Sequence, residues 1–145
     1  VTTPEAIPYA PKQVPPARRW IVFAVSMAGK ALARLNPRSV QRVLSTVRRG
    51  ARPARCQEVE EIRRTLLLVS LACAAREGCL RRSITVALLC RLRGSWPTWH
   101  VGVRAVPPFA AHAWVEAEGI PVGEHVPASY LRPLLSVPPT RGTAG

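Results

Sequence analysis

Aspartate is absent from these 145 residues, so every side-chain carboxylate belongs to one of eight glutamates. Any acid that orients a histidine here must therefore be a glutamate. Lysine is nearly absent as well, with only Lys12 and Lys30, so the formal net charge of +13 is almost wholly arginine. No apolar run reaches the roughly 18 residues that span a bilayer. The longest runs from Thr65 to Ala75. Arg18-Arg19 ahead of Trp20 to Ala28 imitates a secretion signal, but the run is short, starts late and meets Lys30. The four cysteines, at 56, 73, 79 and 90, form no C-x-x-C pair and no zinc spacing. A chain with 48% hydrophobic residues has core enough without a disulfide framework, which points to a reducing, cytoplasmic setting. No nucleic-acid motif is present and aromatics are only 6%, so nucleic acid is not expected as a partner.

What is there divides into four stretches. Residues 1–16 form a proline-rich arm, residues 17–56 an N-terminal helical segment, residues 57–136 the main core, and residues 137–145 a flexible tail. Trp20, Phe23, Met27, Ala31 and Leu35 recur at helical spacing over 17–35. Asn36-Pro37 reads as a cap followed by a first helical turn, opening a second helix over 37–48. A basic loop follows at 50–53. A helix over 57–75 starts with Glu58, Glu60 and Glu61, where the helix dipole favours negative charge. Gly78 breaks it, and another helix over 79–92 carries Leu80, Ile84, Ala87 and Leu88 as its apolar stripe. Trp99–Val106, Ala110–Glu116 and Ile120–His125 read as strands. Helices first and antiparallel strands second predict an α+β domain, N-terminal helices packed on a small sheet.

Three residues carry candidate chemistry. Cys79 follows a glycine and opens a helix, where the dipole and uncommitted N–H groups stabilise a thiolate and can cradle an oxyanion. Arg81 and Arg82 add positive potential. His112 stands mid-strand between alanines, which leave room for the imidazole to approach a thiol. Ala117-Glu118-Gly119 fits a three-residue hairpin loop, pairing Glu116 with Ile120 and setting Glu124 opposite His112. A two-residue turn would put His125 there instead. Trp99 and Trp114 line a substrate cleft or pack in the core, and Ser83, one turn after Cys79, supports the site or packs. His100 and His125 are read as exposed or structural. The helix over 17–35 covers the core, docks a partner protein or lies against a membrane.

Cys79-Leu80-Arg81-Arg82-Ser83, His100-Val101-Gly102-Val103-Arg104 and His112-Ala113-Trp114-Val115-Glu116 resemble the lasso peptide leader peptidases, the transglutaminase-like B2 family. The resemblance covers residues 57–136. It implies a transglutaminase-like, papain-like fold with Cys79 as nucleophile, His112 as base and Glu124 as orienting acid. The family commonly has aspartate at the last position, so Glu124 is a departure, one methylene longer. The implied substrate is a ribosomally made precursor with an N-terminal leader peptide. No strand pattern precedes the helical segment, which suits the stand-alone form of the family. That form implies a separate winged-helix leader-recognition protein, with an asparagine-synthetase-like lasso cyclase as a further partner. No cofactor or metal is implied for leader cleavage. Two rival readings stand beside it: an acyltransferase or transglutaminase using the same three residues, and a basic nucleic-acid- or peptide-binding module without catalysis, motivated by the charge.

Overall fold

Proline and asparagine punctuation sets the helical half of the molecule. The computed structural model describes residues 9–74, 78–124 and 126–140. Helix α1 (Pro16–Ala33) starts on a proline at its first position, where the missing N–H costs nothing. Helix α2 (Pro37–Val47) starts as the Asn36-Pro37 pair predicts: Asn36 Oδ1 accepts the Ser39 N–H at 2.9 Å. Helix α3 (Cys56–Val69) stops six residues before the expected limit of 75, because Ser70 is extended. Ser70 Oγ instead accepts the Cys73 N–H at 3.3 Å and opens the short helix α4 (Leu71–Ala74). Residue 75, the expected end of that helix, lies outside the described residues.

Helix α5 (Cys79–Leu92) is the centre of the molecule. Sequence periodicity predicts a single apolar stripe, but Ser83, Ile84, Thr85, Val86, Ala87, Leu89 and Cys90 are all buried, covering most of its circumference. The reason is that α1, α3 and the sheet pack against it from different sides. Gly29 of α1 lets the two helices approach closely, since a Cβ there would meet Thr85 Oγ1. Arg81 ties the same pair together, donating to the Ser26 carbonyl at 3.1 Å and to Ser26 Oγ at 3.2 Å.

The predicted face of α1 is reversed. Its inward residues are Val22, Ser26 and Gly29. Trp20, Phe23, Met27 and Leu35, read from the sequence as the packed stripe, are exposed. Close helix–helix contact with α5 selects small side chains, which leaves the large ones outside.

Two strands frame the crossing into the sheet. The basic loop expected at 50–53 contains β1 (Arg52–Pro53), which pairs in parallel with β2 (Ser95–Trp96). Strands β3 (Thr98–Arg104), β4 (Ala111–Ala117), β5 (Ile120–Pro121) and β6 (Leu131–Val137) form an antiparallel sheet in the order β5-β4-β3-β6. The fold is α+β, with the helices on a small antiparallel sheet as the transglutaminase-like reading requires. Strand β6 was not among the expected strands. Pro133 interrupts its pattern, which an edge strand tolerates, and it sits at a register shift opposite Gly102. A Cβ on Gly102 would meet the Arg132 carbonyl, so the close approach needs glycine. Trp96, Trp99, Leu44, Leu66, Ile84 and Val137 are the heart of the core.

Candidate active site

Cys79 is the first residue of α5, and among the described residues no side chain caps that helix. The thiol therefore sits at the positive end of the helix dipole, beside backbone N–H groups that carry no capping oxygen. Strand β5 is only two residues long, so among the described residues β4 has no strand partner on that side beyond Glu116. Cys79 occupies this open edge, within hydrogen-bond reach of the Ala113 backbone N–H and of the His112 imidazole.

The route by which Glu124 reaches His112 differs from the expected one. The β4–β5 turn has two residues, not three: Ala117 pairs with Ile120 and Glu116 with Pro121. Glu118 (φ 54°) and Gly119 (φ 76°) both take the left-handed conformation of a primed turn. An uninterrupted ladder in that register would bring residue 125 opposite His112, and His125 itself lies outside the described residues. Among the described residues, however, the ladder stops at Pro121, and the Val122 N–H makes the last bond, to the Val115 carbonyl at 2.9 Å. Gly123 (φ 74°) then turns the chain, and Glu124 Oε2 lies 2.7 Å from His112 Nε2. The carboxylate thus comes from a loop rather than from a facing strand.

Charge on the three groups follows from these contacts. The imidazole Nε2–H donates to Glu124, which leaves Nδ1 for the sulfur. The His112 hydrogen bond holds the Cys79 thiol below its ordinary value. Burial opposes this, while the Ala113 N–H and the charges of His112 and Arg82 assist. His112 is pushed up to about 9 by its bonds to Cys79 and Glu124, against the pull of burial. Both shifts favour a thiolate–imidazolium pair near neutral pH. Such a pair supplies a nucleophile and a proton donor within one contact.

Behind the triad lies a narrow cavity bounded by Arg63, Arg82, Ser83, Trp114, Val122 and Glu124. Arg82 donates to the Cys73 carbonyl at 2.9 Å, so its charge is fixed near the site. Arg81, expected to share that task, points to α1 instead. Sequence reasoning missed Arg63, whose guanidinium lies over Gly123 where a Cβ would stand. Burial and the neighbouring Arg82 pull Arg63 below its ordinary value, and Glu124 offsets part of that. No local pattern pairs an arginine on α3 with a glycine sixty residues later. The larger cavity, between α1, α3 and the C-terminal end of α5, lies a helix length from Cys79 and plays no part in this chemistry.

The expected cleft residues fare differently. Trp99 is fully buried and donates its indole N–H to Ser83 Oγ at 3.1 Å. Ser83 donates to the Leu80 carbonyl at 2.9 Å and is buried too. Trp99 therefore belongs to the core, and Ser83 is buried at the margin of the narrow cavity behind the triad. Trp114 is only 2% exposed and its ring stacks on His112, with centroids 5.9 Å apart and planes 15° apart. It walls the imidazole. His100 is buried rather than exposed, its Nδ1 2.6 Å from Ser136 Oγ. Cys73 and Cys90 are core thiols, and burial pushes Cys90 up to about 12. Cys56 is the first residue of α3 and donates its thiol to the Ala117 carbonyl at 3.0 Å.

The family described as the transglutaminase-like superfamily matches residues 22–136. No curated protein and no solved structure matches the chain. A match over most of the sequence, on a fold of the right class with sulfur, imidazole and carboxylate gathered at the start of one helix, leads to one placement: the chain belongs to the transglutaminase-like superfamily.

Proposed function

We propose that this chain is a cysteine peptidase that removes the leader from a ribosomally made lasso peptide precursor. One observation carries the peptidase reading: Glu124, His112 and Cys79 are linked in series at the N-terminus of α5. Superfamily membership supports thiol peptidase or acyl-transfer chemistry. The leader-peptidase part is supported by the resemblance of three segments, around Cys79, His100 and His112.

In the proposed reaction Cys79 Sγ attacks the carbonyl carbon at the leader–core junction. The oxyanion that forms is met by N–H groups at the first turn of α5, that of Cys79 among them. The imidazolium of His112 gives its proton to the departing amine, the amide C–N bond breaks, and the leader remains as a thioester on Cys79. Neutral His112 then takes a proton from water, whose oxygen attacks the thioester. The C–S bond breaks, releasing leader carboxylate and restoring the pair. Glu124 keeps the ring oriented and stabilises its charged form throughout. A separate winged-helix recognition protein delivers the leader, and the freed core amine passes to an asparagine-synthetase-like cyclase.

The test is incubation of precursor, recognition protein and this chain, followed by mass spectrometry. Leader and core peptides whose summed mass exceeds the precursor by one water are expected, and Cys79→Ala yields neither. Cleavage that persists in Cys79→Ala refutes the assignment. A leader product joined to an added amine, with no hydrolysed leader, replaces hydrolysis by acyl transfer.

A further inference from the structure

The outward face of α1 is the largest feature that the candidate site does not use. Val22, Ser26 and Gly29 point into the molecule. Half a turn away, Trp20, Phe23, Ala24, Met27 and Ala31 form one exposed side of the helix, with Trp20 73% and Phe23 53% exposed. Their rings meet edge to face at 6.4 Å. No polar side chain interrupts this apolar strip, and exposed Lys30 and Arg34 border its C-terminal end. Beyond exposed Ile21 the apolar surface reaches Leu92 at the end of α5, with Arg18 and Arg93 beside it. The charge around the helix is one-sided. From residue 6 to residue 57 the sequence contains eleven arginines and lysines and no acidic residue.

We propose that α1 lays this face on an anionic phospholipid bilayer, its aromatic rings at the headgroup–acyl boundary and its flanking cations on the lipid phosphates. Charge complementarity names the sign of the partner. The chemistry of the face favours lipid over protein. A protein interface carries on the order of ten directional hydrogen bonds, and among its side chains this strip offers a single donor, the Trp20 indole N–H. A bilayer boundary requires only apolar volume, aromatic rings and nearby cations. Among the described residues no helix is long and apolar enough to cross a membrane, so the contact is peripheral. The proposal does not depend on the peptidase reading.

Intrinsic fluorescence tests it, because Trp96, Trp99 and Trp114 are buried and Trp20 is the one exposed indole. Vesicles of mixed phosphatidylglycerol and phosphatidylcholine should shift the emission to the blue and sediment with the protein. Added salt should reverse both effects, and pure phosphatidylcholine vesicles should produce neither. A Phe23→Ser, Met27→Ser double variant retains Trp20 and should partition about tenfold more weakly, through lost apolar burial. Lys30→Glu with Arg34→Glu, a change confined to exposed charge, should weaken binding to the anionic vesicles as well. No shift and no sedimentation overturns the proposal and leaves the face to a protein partner. Equal binding to neutral vesicles, or binding that neither variant weakens, overturns it too.

Discussion

Strand β4 and its neighbours hold two histidine–glutamate pairs, one on either side of Trp114, and only one of them has the makings of a catalytic group. His112 meets Glu124 at 2.7 Å, and His100 lies 3.1 Å from Glu116. Both rings lie against the same indole, with centroids 5.9 and 5.1 Å away. The surroundings separate them. His100 is inside β3, paired on both sides by β4 and β6, with Ser136 on Nδ1 and Glu116 off the N–H direction of Nε2. His112 stands where β4 loses its outer neighbour, so a thiol and a loop carboxylate can reach it from the gap. A nearby carboxylate therefore does not mark the working histidine. The broken ladder and the sulfur do.

Four experiments probe that contrast. The largest effect belongs to His112→Ala, which should lower leader cleavage by roughly 10²–10⁴-fold, the range for loss of a general acid–base group. His100→Gln should change it at most a few-fold; an equal loss in the two variants erases the distinction. Next comes Glu124→Gln, with an expected drop of up to about 10²-fold. Glu124 raises His112, so its removal lowers the imidazolium value. The alkaline limb of the pH–rate profile, set near 9 in the parent, should then move to lower pH. An unmoved limb assigns the orienting role elsewhere. Smaller still is Gly123→Ala, which places a Cβ against Arg63 on a left-handed backbone. Displacing Glu124 by a fraction of an ångström should cost about tenfold in rate with less than about 2 kcal/mol of stability. The smallest change in rate should come from Glu116→Gln, where the readout is thermal unfolding and the expected loss is about 1 kcal/mol. A large loss of activity with unchanged stability in that variant would bring the second pair into the chemistry.

Local signals made part of this legible. Asn36-Pro37 and Gly78-Cys79 mark helix starts because capping and backbone freedom act within a few residues. Valine-rich alternation marks β3 and β4 for the same reason. Other features depend on distant partners. Glu118 is a poor residue for positive φ, so Glu-Gly does not announce a two-residue turn. Its carboxylate accepts the Cys56 N–H at 3.2 Å, a contact from the start of α3 that favours the strained turn. The three-residue loop expected from the sequence thus had the wrong register, and Glu124 meets His112 only because Pro121 and Gly123 end the ladder early. Trp99 and Ser83 show the same limit: helical and strand spacing place them near Cys79, but only the docking of β3 on α5 shows that they face each other. The outward aromatics of α1 are misread by periodicity, since a stripe has no label for which side meets the protein.

Alkylation of the thiols across pH tests the central claim without any substrate. Iodoacetamide labelling followed by mass spectrometry should find Cys79 modified at a pH below the ordinary range of a thiol near 8.5. Cys73 and Cys90, both buried, should stay unlabelled, and His112→Ala should return Cys79 to ordinary behaviour. Cys79 that labels only as the pH nears that ordinary range, with the same profile in His112→Ala, would contradict the account.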